Sequence, residues 1–215
     1  IITSYIDANM SLSSITKDAD FIICLDGGWD IASCENILPD LIMGDMDSLK
    51  GELPKNVPIE RFKPEKDYTD LELALKKAIY LNGKNITVIG GMGGRLDHTM
   101  ANIQLLSQYT GYFDSLTMKD GKNECFVLNE NQSKGIVLPH DDNCYFSVFS
   151  LSEKCTGLTI NNAKYPLKDY TLPRTGSLCV SNEFIGEKDA VISIALNNDI
   201  MPFHVPLFPQ MYEPV

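Results

Sequence analysis

The sequence has few histidines and no closely spaced pair of cysteines. It contains 3 histidines in 215 residues, and none of its 6 cysteines belongs to a C-x-x-C motif. Structural zinc sites use these residues at short, characteristic spacings, so this distribution argues against a zinc site. Scattered cysteines are typical of reduced thiols, and we expect a cytoplasmic protein. The cysteines are Cys24, Cys34, Cys125, Cys144, Cys155 and Cys179.

Long apolar runs and positive charge are also scarce. No apolar run approaches the roughly 20 residues that a membrane helix requires, so we expect no membrane partner. The opening IITSYIDANM lacks the basic and apolar regions of a secretory signal. The chain carries 18 basic and 29 acidic residues, a net charge of -11, which argues against a nucleic-acid surface. A nucleotide is still compatible, because a small polyphosphate arrives with its own cations.

The first half of the chain alternates short apolar runs with segments of helical periodicity. This alternation predicts a mostly parallel sheet with helices on its faces. The clearest helix follows Thr69, because Thr69 and Glu72 have the form of a capping box and Gly83 is expected to end the helix. The predicted strands are IITSY, FIICL, DLIMG and NITVIGG, and the predicted helices are SLSSITKDA, DIASCENIL, TDLELALKKAIYL and DHTMANIQLLSQY.

From Asn123 onward the pattern changes to strands and turns, at spacings typical of a β-sandwich or barrel. We therefore predict two domains, residues 1–118 and residues 123–215, with a boundary near Thr117 to Lys122. The strands predicted in the second domain are ECFVLN, GIVLP, YFSVFSL, GLTINN, SLCVSNEF and AVISIAL.

Acidic residues follow several of the predicted strands, where ligands bind in an open parallel sheet. Asp26 follows FIICL, and Asp45 and Asp47 follow DLIMG. Two carboxylates one residue apart lie on the same side of an extended chain and repel each other unless a cation sits between them. Mg²⁺ suits this role, since it prefers oxygen ligands. The alternative is a solvated turn in which Asp47 and Ser48 cap the next segment.

Two further clusters have a structural alternative of their own. Asp67 and Asp70 stand at the start of the clearest helix, where carboxylates are stabilised without any ligand. The segment GGMGGRLDH, residues 90–98, lacks the G-K-[ST] of a P-loop, and its glycines are typical of a turn. Arg95 and Asp97 suit a phosphate and a metal, or form a local ion pair. His98 is more typical of a structural hydrogen bond than of catalysis.

Four motifs in order resemble the signature series of the thiamine pyrophosphokinase family. They are D-G-G (26–28), P-D-x-x-x-G-D-M-D-S (39–48), K-D-Y-T-D (66–70) and G-G-R-L-D-H-T-x-x-N (93–102), with a looser match at G-S-L-C-V-S-N-E-F (176–184). The resemblance implies a Rossmann-like α/β domain that holds ATP and Mg²⁺, followed by a β-sandwich domain. It also implies a homodimer with the thiamine pocket at the subunit interface, and transfer of a pyrophosphoryl group from ATP to the thiamine hydroxyl, leaving AMP.

The resemblance also assigns roles to residues. It implies a metal site at Asp45, Asp47 and Asp70, with Arg95 and Asp97 completing the catalytic set. Departures from the family pattern occur at Trp29, at Met46 and in the first loop, SYIDANM, and they concern contacts to the base and ribose rather than the metal. The nucleotide- and substrate-binding candidates are Asp26, Gly27, Ser48, Lys66, Asp67, Thr69, His98, Asn102, Ser181 and Asn182.

Three other functions compete with this interpretation. A sugar-nucleotide transferase also uses a D-x-D motif to bind a divalent metal. A non-enzymatic regulator would bind a nucleotide or metal without turnover. A haloacid-dehalogenase-type phosphatase fits less well, because Leu49 stands where its motif has Thr or Val.

Overall fold

The computed structural model describes residues 1–6, 10–63, 65, 67–121, 123–128, 135–195 and 200–206. Lys66, one of the candidate site residues, lies outside the described residues. The chain divides into two compact units, Ile1–Lys122 and Asn123–Val215. Within the described parts of the chain, no helix is long and apolar enough to cross a membrane.

The first unit combines parallel strands with helices. Its described strands are β1 (Ile23–Leu25), β2 (Leu41–Gly44), β3 (Ile59–Arg61), β4 (Asn85–Ile89) and β5 (Ser115–Asp120), and its described helices are α1 (Leu12–Thr16), α2 (Gly28–Cys34), α3 (Asp70–Tyr80) and α4 (Leu96–Tyr109), followed by a 3₁₀ turn at Thr110–Tyr112.

Residues 1–3 lie at the centre of the parallel sheet. Strand β1 pairs with β2 and β2 with β3, while β4 pairs with β5, all in parallel. Ile2 forms parallel bridges to both Cys24 in β1 and Ile89 in β4, so the order across the sheet is β3, β2, β1, residues 1–3, β4, β5. Successive strands are added on one side up to β3 and on the other side from β4, and ligands bind where the strand order reverses in this way.

Helix α3 shows how the sequence determines these elements. Its buried face consists of Leu71, Ala74, Leu75 and Ala78, at helical spacing. Thr69 is the N-cap and accepts a hydrogen bond from the backbone N–H of Glu72 at 3.3 Å, as the sequence predicts.

The end of α3 differs from the prediction. The left-handed residue there is Asn82, with φ +57°, and not Gly83. Asparagine tolerates this conformation because its short polar side chain bonds locally. Gly83 donates its N–H to the carbonyl of Ala78 at 2.9 Å, so it closes the helix end one residue later.

The second unit consists of antiparallel strands. Its described strands are β6 (Asn123–Phe126), β7 (Ile136–Leu138), β8 (Cys144–Ser150), β9 (Lys154–Asn161), β10 (Leu167–Pro173), β11 (Ala190–Ser193) and β12 (Ile200–Pro206).

These strands form a β-sandwich. One sheet has the order β10, β9, β11, β7, and in the other β12 lies between β6 and β8. The core between them is apolar and includes Phe146, Val148 and Ile200 from one sheet and Leu158, Ile160 and Ile192 from the other. The predicted fold class, an α/β domain followed by a β-sandwich, is therefore confirmed.

Some predicted elements are wrong in detail. The segment SLCVSNEF is not a regular strand, because Cys179 and Ser181 have φ values of +71° and +57°, which interrupt the extended conformation. Only isolated bridges are described there, at Asn182 and Phe184. Strands β3, β5, β10 and β12 have no counterpart in the prediction. Strand β5 continues to Asp120, through most of the span expected to hold the domain boundary.

Candidate active site

An acidic cluster forms where β1 and β2 end. Asp26 follows β1 directly, and Asp45 and Asp47 follow β2. Because β1 and β2 are adjacent and parallel, their carboxyl ends meet at one edge of the sheet. One carboxylate oxygen from each of these three aspartates lies within 4.8 Å of the other two. The sequence assigned Asp70 as the third metal ligand, whereas Asp26 completes this group.

The side chain of Asp26 lies against the backbone of Gly44. A Cβ placed on residue 44 would be only 1.7 Å from Asp26 Oδ1, and Gly44 has φ +147°. Asp26 is 6% exposed, and its Oδ1 accepts a hydrogen bond from Met46 N at 2.9 Å. The glycine in G-D-M-D-S thus leaves room for a carboxylate supplied by the neighbouring strand.

The electrostatics of the cluster favour a cation. Burial, with a smaller contribution from the negative charges of Asp70, Asp45 and Asp47, raises the pKa of Asp26 to about 6, against the lowering effect of the N–H of Met46. A carboxyl group in such surroundings is costly to ionise without a compensating positive charge. The donor set consists of carboxylate oxygens, which are the ligands that Mg²⁺ prefers.

The K-D-Y-T-D segment contributes to the cluster through Asp70. This residue begins α3 and lies close enough for its charge to act on Asp26. Thr69 is occupied as the helix cap. Asp67 is exposed.

The first turn of α2 is bound to the loop that follows β2. Gly27 N donates to Ser48 Oγ at 3.1 Å. The indole Nε1 of Trp29 donates to the carbonyl of Glu52 at 2.9 Å, and its ring packs against the core of the first unit. Trp29 therefore packs partly buried against the core, and its indole N–H is bonded to the loop.

The glycine-rich turn after β4 uses its own N–H groups internally. The donors at positions 90 to 93 bind acceptors within the protein, so these groups hold the turn, as the structural alternative predicts. The bonds are Gly90 N to Lys119 O at 2.7 Å, Gly91 N to Tyr5 O at 3.1 Å, Met92 N to Asp120 Oδ2 at 3.2 Å and Gly93 N to Thr99 Oγ1 at 3.0 Å.

Asn102 and Tyr5 fix the same turn from two sides. The buried Asn102 donates its Nδ2 to the carbonyl of Gly91 at 2.9 Å. The half-exposed ring of Tyr5 lies where a Cβ on Gly93 or Gly94 would be, at 2.7 Å and 3.1 Å from ring atoms. The glycines therefore make room for an aromatic ring.

Arg95 and Asp97 form an exposed ion pair at the start of α4. Arg95 Nε donates to Asp97 Oδ1 at 3.1 Å and Nη2 to Oδ2 at 2.5 Å. Both side chains are well exposed, at 72% and 64%. The bonds from Arg95 lower the pKa of Asp97 to about 2. His98 is also exposed.

The acidic cluster and the glycine-rich turn border the same short segment. A Cβ on Gly27 would lie 3.4 Å from Ser4 Cβ, and one on Gly90 would lie 2.0 Å from the carbonyl oxygen of Tyr5. Ser4 and Tyr5 directly follow the central residues 1–3, so both groups of candidate residues flank the point where the strand order reverses.

Two candidate residues lie in the second unit, in the segment after β10. Asn182 is buried, and its side-chain amide is hydrogen-bonded to the backbone of Tyr165. Its Oδ1 accepts from Tyr165 N at 3.0 Å, and its Nδ2 donates to Tyr165 O at 2.9 Å. Ser181 donates its backbone N–H to Ser147 Oγ at 3.0 Å and is exposed. Of this pair, Ser181 presents its side chain to solvent.

A cavity of about 670 Å³ lies elsewhere in the first unit. It is lined by residues at the amino ends of the strands, including Ile22, Ile23 and Ile86. The acidic cluster stands at the opposite, carboxyl edge of the sheet, whereas the acidic residues that line this cavity are Asp18 and Asp20.

Sequence reasoning missed Asp30 and Tyr5. Asp30 lies in the first turn of α2 and binds the backbone of residues 50 and 51. An acidic residue near a helix start gives no signal for a contact with a loop about twenty residues away. The unusual SYIDANM loop pointed to the region of Tyr5 without indicating its contact with the glycines.

Comparisons with known proteins agree across the chain. Residues 12–119 match the family model "Thiamin pyrophosphokinase, catalytic domain", and residues 135–201 match "Thiamin pyrophosphokinase, vitamin B1 binding domain". A thiamine pyrophosphokinase of Bacillus subtilis is 31% identical over 181 residues, covering 81% of this chain and 83% of its own.

Solved structures show the same fold. A crystal structure of thiamine pyrophosphokinase from Bacillus subtilis has a TM-score of 0.83 at 24% identity, covering 95% of this chain and 97% of its own. The corresponding structure from Geobacillus thermodenitrificans has a TM-score of 0.79 at 24% identity, covering 94% of each chain. Together with the two family models matched in order, these findings establish that the chain belongs to the thiamine pyrophosphokinase family.

Proposed function

We propose that the acidic cluster of Asp26, Asp45 and Asp47 is the Mg²⁺ site of a pyrophosphoryl transferase. As a family member, the chain is an enzyme that transfers the pyrophosphoryl group of ATP to the hydroxyl of thiamine, giving thiamine diphosphate and AMP. The observation that carries the site assignment is the convergence of the three carboxylates within 4.8 Å. When bound, Mg²⁺ would neutralise charge that develops on the phosphate oxygens.

The protein's own contribution is positioning and charge, because phosphoryl-type transfers need little covalent chemistry from the enzyme. The three carboxylates come from two adjacent loops held by the sheet edge. Gly44 and the N–H of Met46 fix the carboxylate of Asp26. These contacts support a site that is formed before the substrates arrive.

Arg95 is the proposed phosphate ligand at the glycine-rich turn. The N–H groups of residues 90 to 93 are bonded internally, which leaves this role to the guanidinium group. The guanidinium is planar and suits a forked contact with phosphate oxygens. Its bond to Asp97 is an exposed pair of the kind that contributes little to stability, so exchange of Asp97 for a phosphate costs little.

Asp70 and Asp97 are the two candidates for orienting or deprotonating the thiamine hydroxyl, and Asp70 is favoured. Asp97 stands at the start of α4, in an exposed ion pair with Arg95. Asp70 stands beside the acidic cluster, where its charge acts on Asp26. We infer that Asp70 orients or deprotonates the thiamine hydroxyl.

The second unit is the proposed thiamine side. Its match to a vitamin B1 binding domain supports this assignment. The segment 176–185 exposes the large apolar side chains of Leu178, Val180 and Ile185, a surface that a ligand or a second subunit would cover. Ser181 lies in the same segment. From the family resemblance, we infer a homodimer with the active site at the subunit interface. Sedimentation analysis would measure whether the chain is a dimer in solution.

The rival functions have no comparable support. Neither a sugar-nucleotide transferase nor a non-enzymatic regulator is favoured, since residues 12–119 and 135–201 match the two domain models of thiamin pyrophosphokinase. A regulator would be stabilised by nucleotide without turnover. A sugar-nucleotide transferase would act without thiamine.

The test is AMP release from ATP, followed with and without thiamine and Mg²⁺. We expect AMP only when both are present. Asp47→Asn removes a charged ligand from the cluster and should lower turnover by at least about a hundredfold, the upper range for altering a metal's surroundings. Turnover like that of the unchanged chain would contradict the metal assignment.

Asp40→Asn is the matched control. Asp40 is an exposed aspartate of the same unit whose Oδ2 accepts from Ile22 N at 2.8 Å, next to the amino end of β1. It shares the local chemistry of a surface carboxylate but lies away from the acidic cluster. We expect this variant to keep its turnover.

A further inference from the structure

The start of α2 holds the loop after β2 by a series of hydrogen bonds. Residues 45–58 form neither helix nor strand, so side-chain bonds to the backbone determine the path of this loop. Partners on the α2 side lie within residues 26–30, and partners on the loop side within residues 46–52. The bonds join Asp26 to Met46, Gly27 to Ser48, Asp30 to Lys50 and Gly51, and Trp29 to Glu52.

Asp30 makes the only two-pronged contact of this series. Its Oδ2 accepts from Lys50 N and its Oδ1 from Gly51 N, both at 2.8 Å. A Cβ on residue 51 would lie 2.8 Å from Asp30 Oδ1, so glycine permits the approach. Hydrogen bonds to an ionised acceptor are stronger than neutral ones.

These contacts place Asp47 between two fixed points. On one side, Asp47 N donates to Asp45 Oδ1 at 3.1 Å, which closes the turn after β2. On the other side, Ser48 is held by Gly27, and the two amides that follow Leu49 are held by Asp30. Without Asp30, the chain on the far side of Asp47 loses its strongest anchor.

We propose that Asp30 is a positioning residue that sets the affinity of the metal site by holding the loop that carries Asp47. The proposal rests on the metal site proposed above. Asp30 acts through the backbone of Lys50 and Gly51 and contributes no ligand atom of its own. Its loss would allow the carboxylate of Asp47 to move away from those of Asp26 and Asp45.

Glu35, at the other end of α2, supplies a matched control. Its two carboxylate oxygens also accept from successive backbone N–H groups, those of Leu12 and Ser13, both at 3.0 Å. It lies just beyond the end of α2, seven helical residues away from the loop that carries Asp26. Glu35→Gln therefore disturbs an equivalent bond pair without touching the proposed metal site.

The experiment measures Mn²⁺ binding to the full chain by electron paramagnetic resonance, with Mn²⁺ alone as the probe. We expect the Mn²⁺ dissociation constant to rise roughly tenfold in Asp30→Asn, which keeps one acceptor oxygen, and more in Asp30→Ala. Glu35→Gln should bind Mn²⁺ like the unchanged chain. Far-ultraviolet circular dichroism checks that each variant is folded. If Asp30→Ala does not fold, the test relies on Asp30→Asn.

Turnover gives a second readout that a purely structural role would not move. We expect Asp30→Asn to need more Mg²⁺ for half-maximal activity and to recover its kcat at saturating Mg²⁺. Unchanged Mn²⁺ affinity in the Asp30 variants, or a loss of kcat that Mg²⁺ does not restore, overturns the proposal.

Measuring Asp47→Asn in the same binding assay distinguishes failure of the proposed role of Asp30 from failure of the proposed metal site. Loss of Mn²⁺ binding in Asp47→Asn together with unchanged binding in the Asp30 variants overturns the role of Asp30 and leaves the metal site standing. Unchanged binding in Asp47→Asn overturns the metal site and the role of Asp30 with it.

Discussion

The carboxylate of Asp26 occupies the space that a side chain at position 44 would need. Gly44 ends β2 with φ +147°, and a Cβ there would lie 1.7 Å from Asp26 Oδ1. The glycine thus serves two purposes, since it adopts a conformation that L-residues avoid and it admits a neighbour's carboxylate. The acidic cluster depends on this absence of a side chain as much as on its three aspartates.

Gly44→Ala should therefore damage the site and the fold together. The positive φ alone costs about 1–3 kcal/mol of unfolding free energy. Displacement of Asp26 by about an ångström should lower turnover about a hundredfold. Thermal unfolding and AMP release measure the two effects.

Gly186→Ala provides the comparison. Gly186 also has positive φ, at +57°, but nothing lies within 4 Å of a Cβ placed there. We expect a stability loss of about 1–2 kcal/mol with unchanged turnover. If Gly44→Ala behaves in the same way, the steric argument for Asp26 is wrong.

Single residues were predictable where a local pattern fixes their position. Asp26, Asp45 and Asp47 were each predicted to follow a strand, and the structure brings them together. Asp30 and Tyr5 were missed because their partners are distant in sequence. Nothing in the pattern around Asp30 indicates that its carboxylate reaches two amides beyond Asp47.

At the scale of elements, α4 clamps the turn that precedes it. Arg95 stands at the N-cap position, and its side chain makes no capping hydrogen bond. Instead, Thr99 accepts a bond from Gly93 N, and Asn102 donates to Gly91 O. These two hydrogen bonds join α4 to the glycine-rich turn, so each stabilises the other. Arg95 lies where the turn meets the helix.

Asn102→Asp should loosen this clamp. The substitution keeps the shape but replaces the donor that faces Gly91 O with an acceptor, so the part-buried carbonyl of Gly91 loses this hydrogen bond. We expect a loss of about 1–3 kcal/mol in unfolding free energy. We also expect a higher KM for ATP with little change in Mn²⁺ affinity, because Arg95 moves and the acidic cluster does not. Denaturant titration, kinetics and Mn²⁺ titration measure these effects.

Asn162→Asp is the control for this substitution. Asn162 Nδ2 also donates to a carbonyl, that of Asp189 at 2.9 Å, but at an exposed position. Water can replace the lost donor there, so the change should cost less. An unaltered KM for ATP in Asn102→Asp would refute the role of α4 in placing Arg95.

Elements with long periodicity were predicted better than short ones. The capping box and apolar stripe located α3, and the apolar pattern located α4. Strand β3 has three residues and β10 exposes most of its side chains, so neither shows the buried pattern of a strand. SLCVSNEF has the composition of a strand, but two left-handed residues bend it, and their conformation depends on tertiary contacts.

At the scale of the whole molecule, the net charge of -11 has a functional consequence. Thiamine carries a permanent positive charge on its thiazolium ring, whereas ATP with Mg²⁺ remains anionic. A surplus of carboxylates attracts the first and repels the second. In the proposed site, a bound metal and Arg95 would compensate for this repulsion locally. The expectation of a cytoplasmic protein stays a prediction.

Added salt should therefore affect the two substrates differently. We expect kcat/KM for thiamine to fall as ionic strength rises from low to physiological values, because screening weakens the attraction between opposite charges. The kcat/KM for ATP should fall less than that for thiamine, or rise. Initial rates at constant Mg²⁺, with potassium chloride varied, measure both, and equal salt effects on the two substrates would count against the charge argument.

The central place of residues 1–3 has a consequence for how the protein is made. Residues 1–3 precede β4 by more than eighty positions, yet the N–H of Thr3 donates to the carbonyl of Ile89 at 3.0 Å, and Ile2 is fully buried between β1 and β4. The flank that β4 forms therefore needs pairing across a long stretch of chain, which is slow. During synthesis, the β1 side of the sheet can form well before the β4 side, and the apolar side chain of Ile2 stays partly uncovered in the interval.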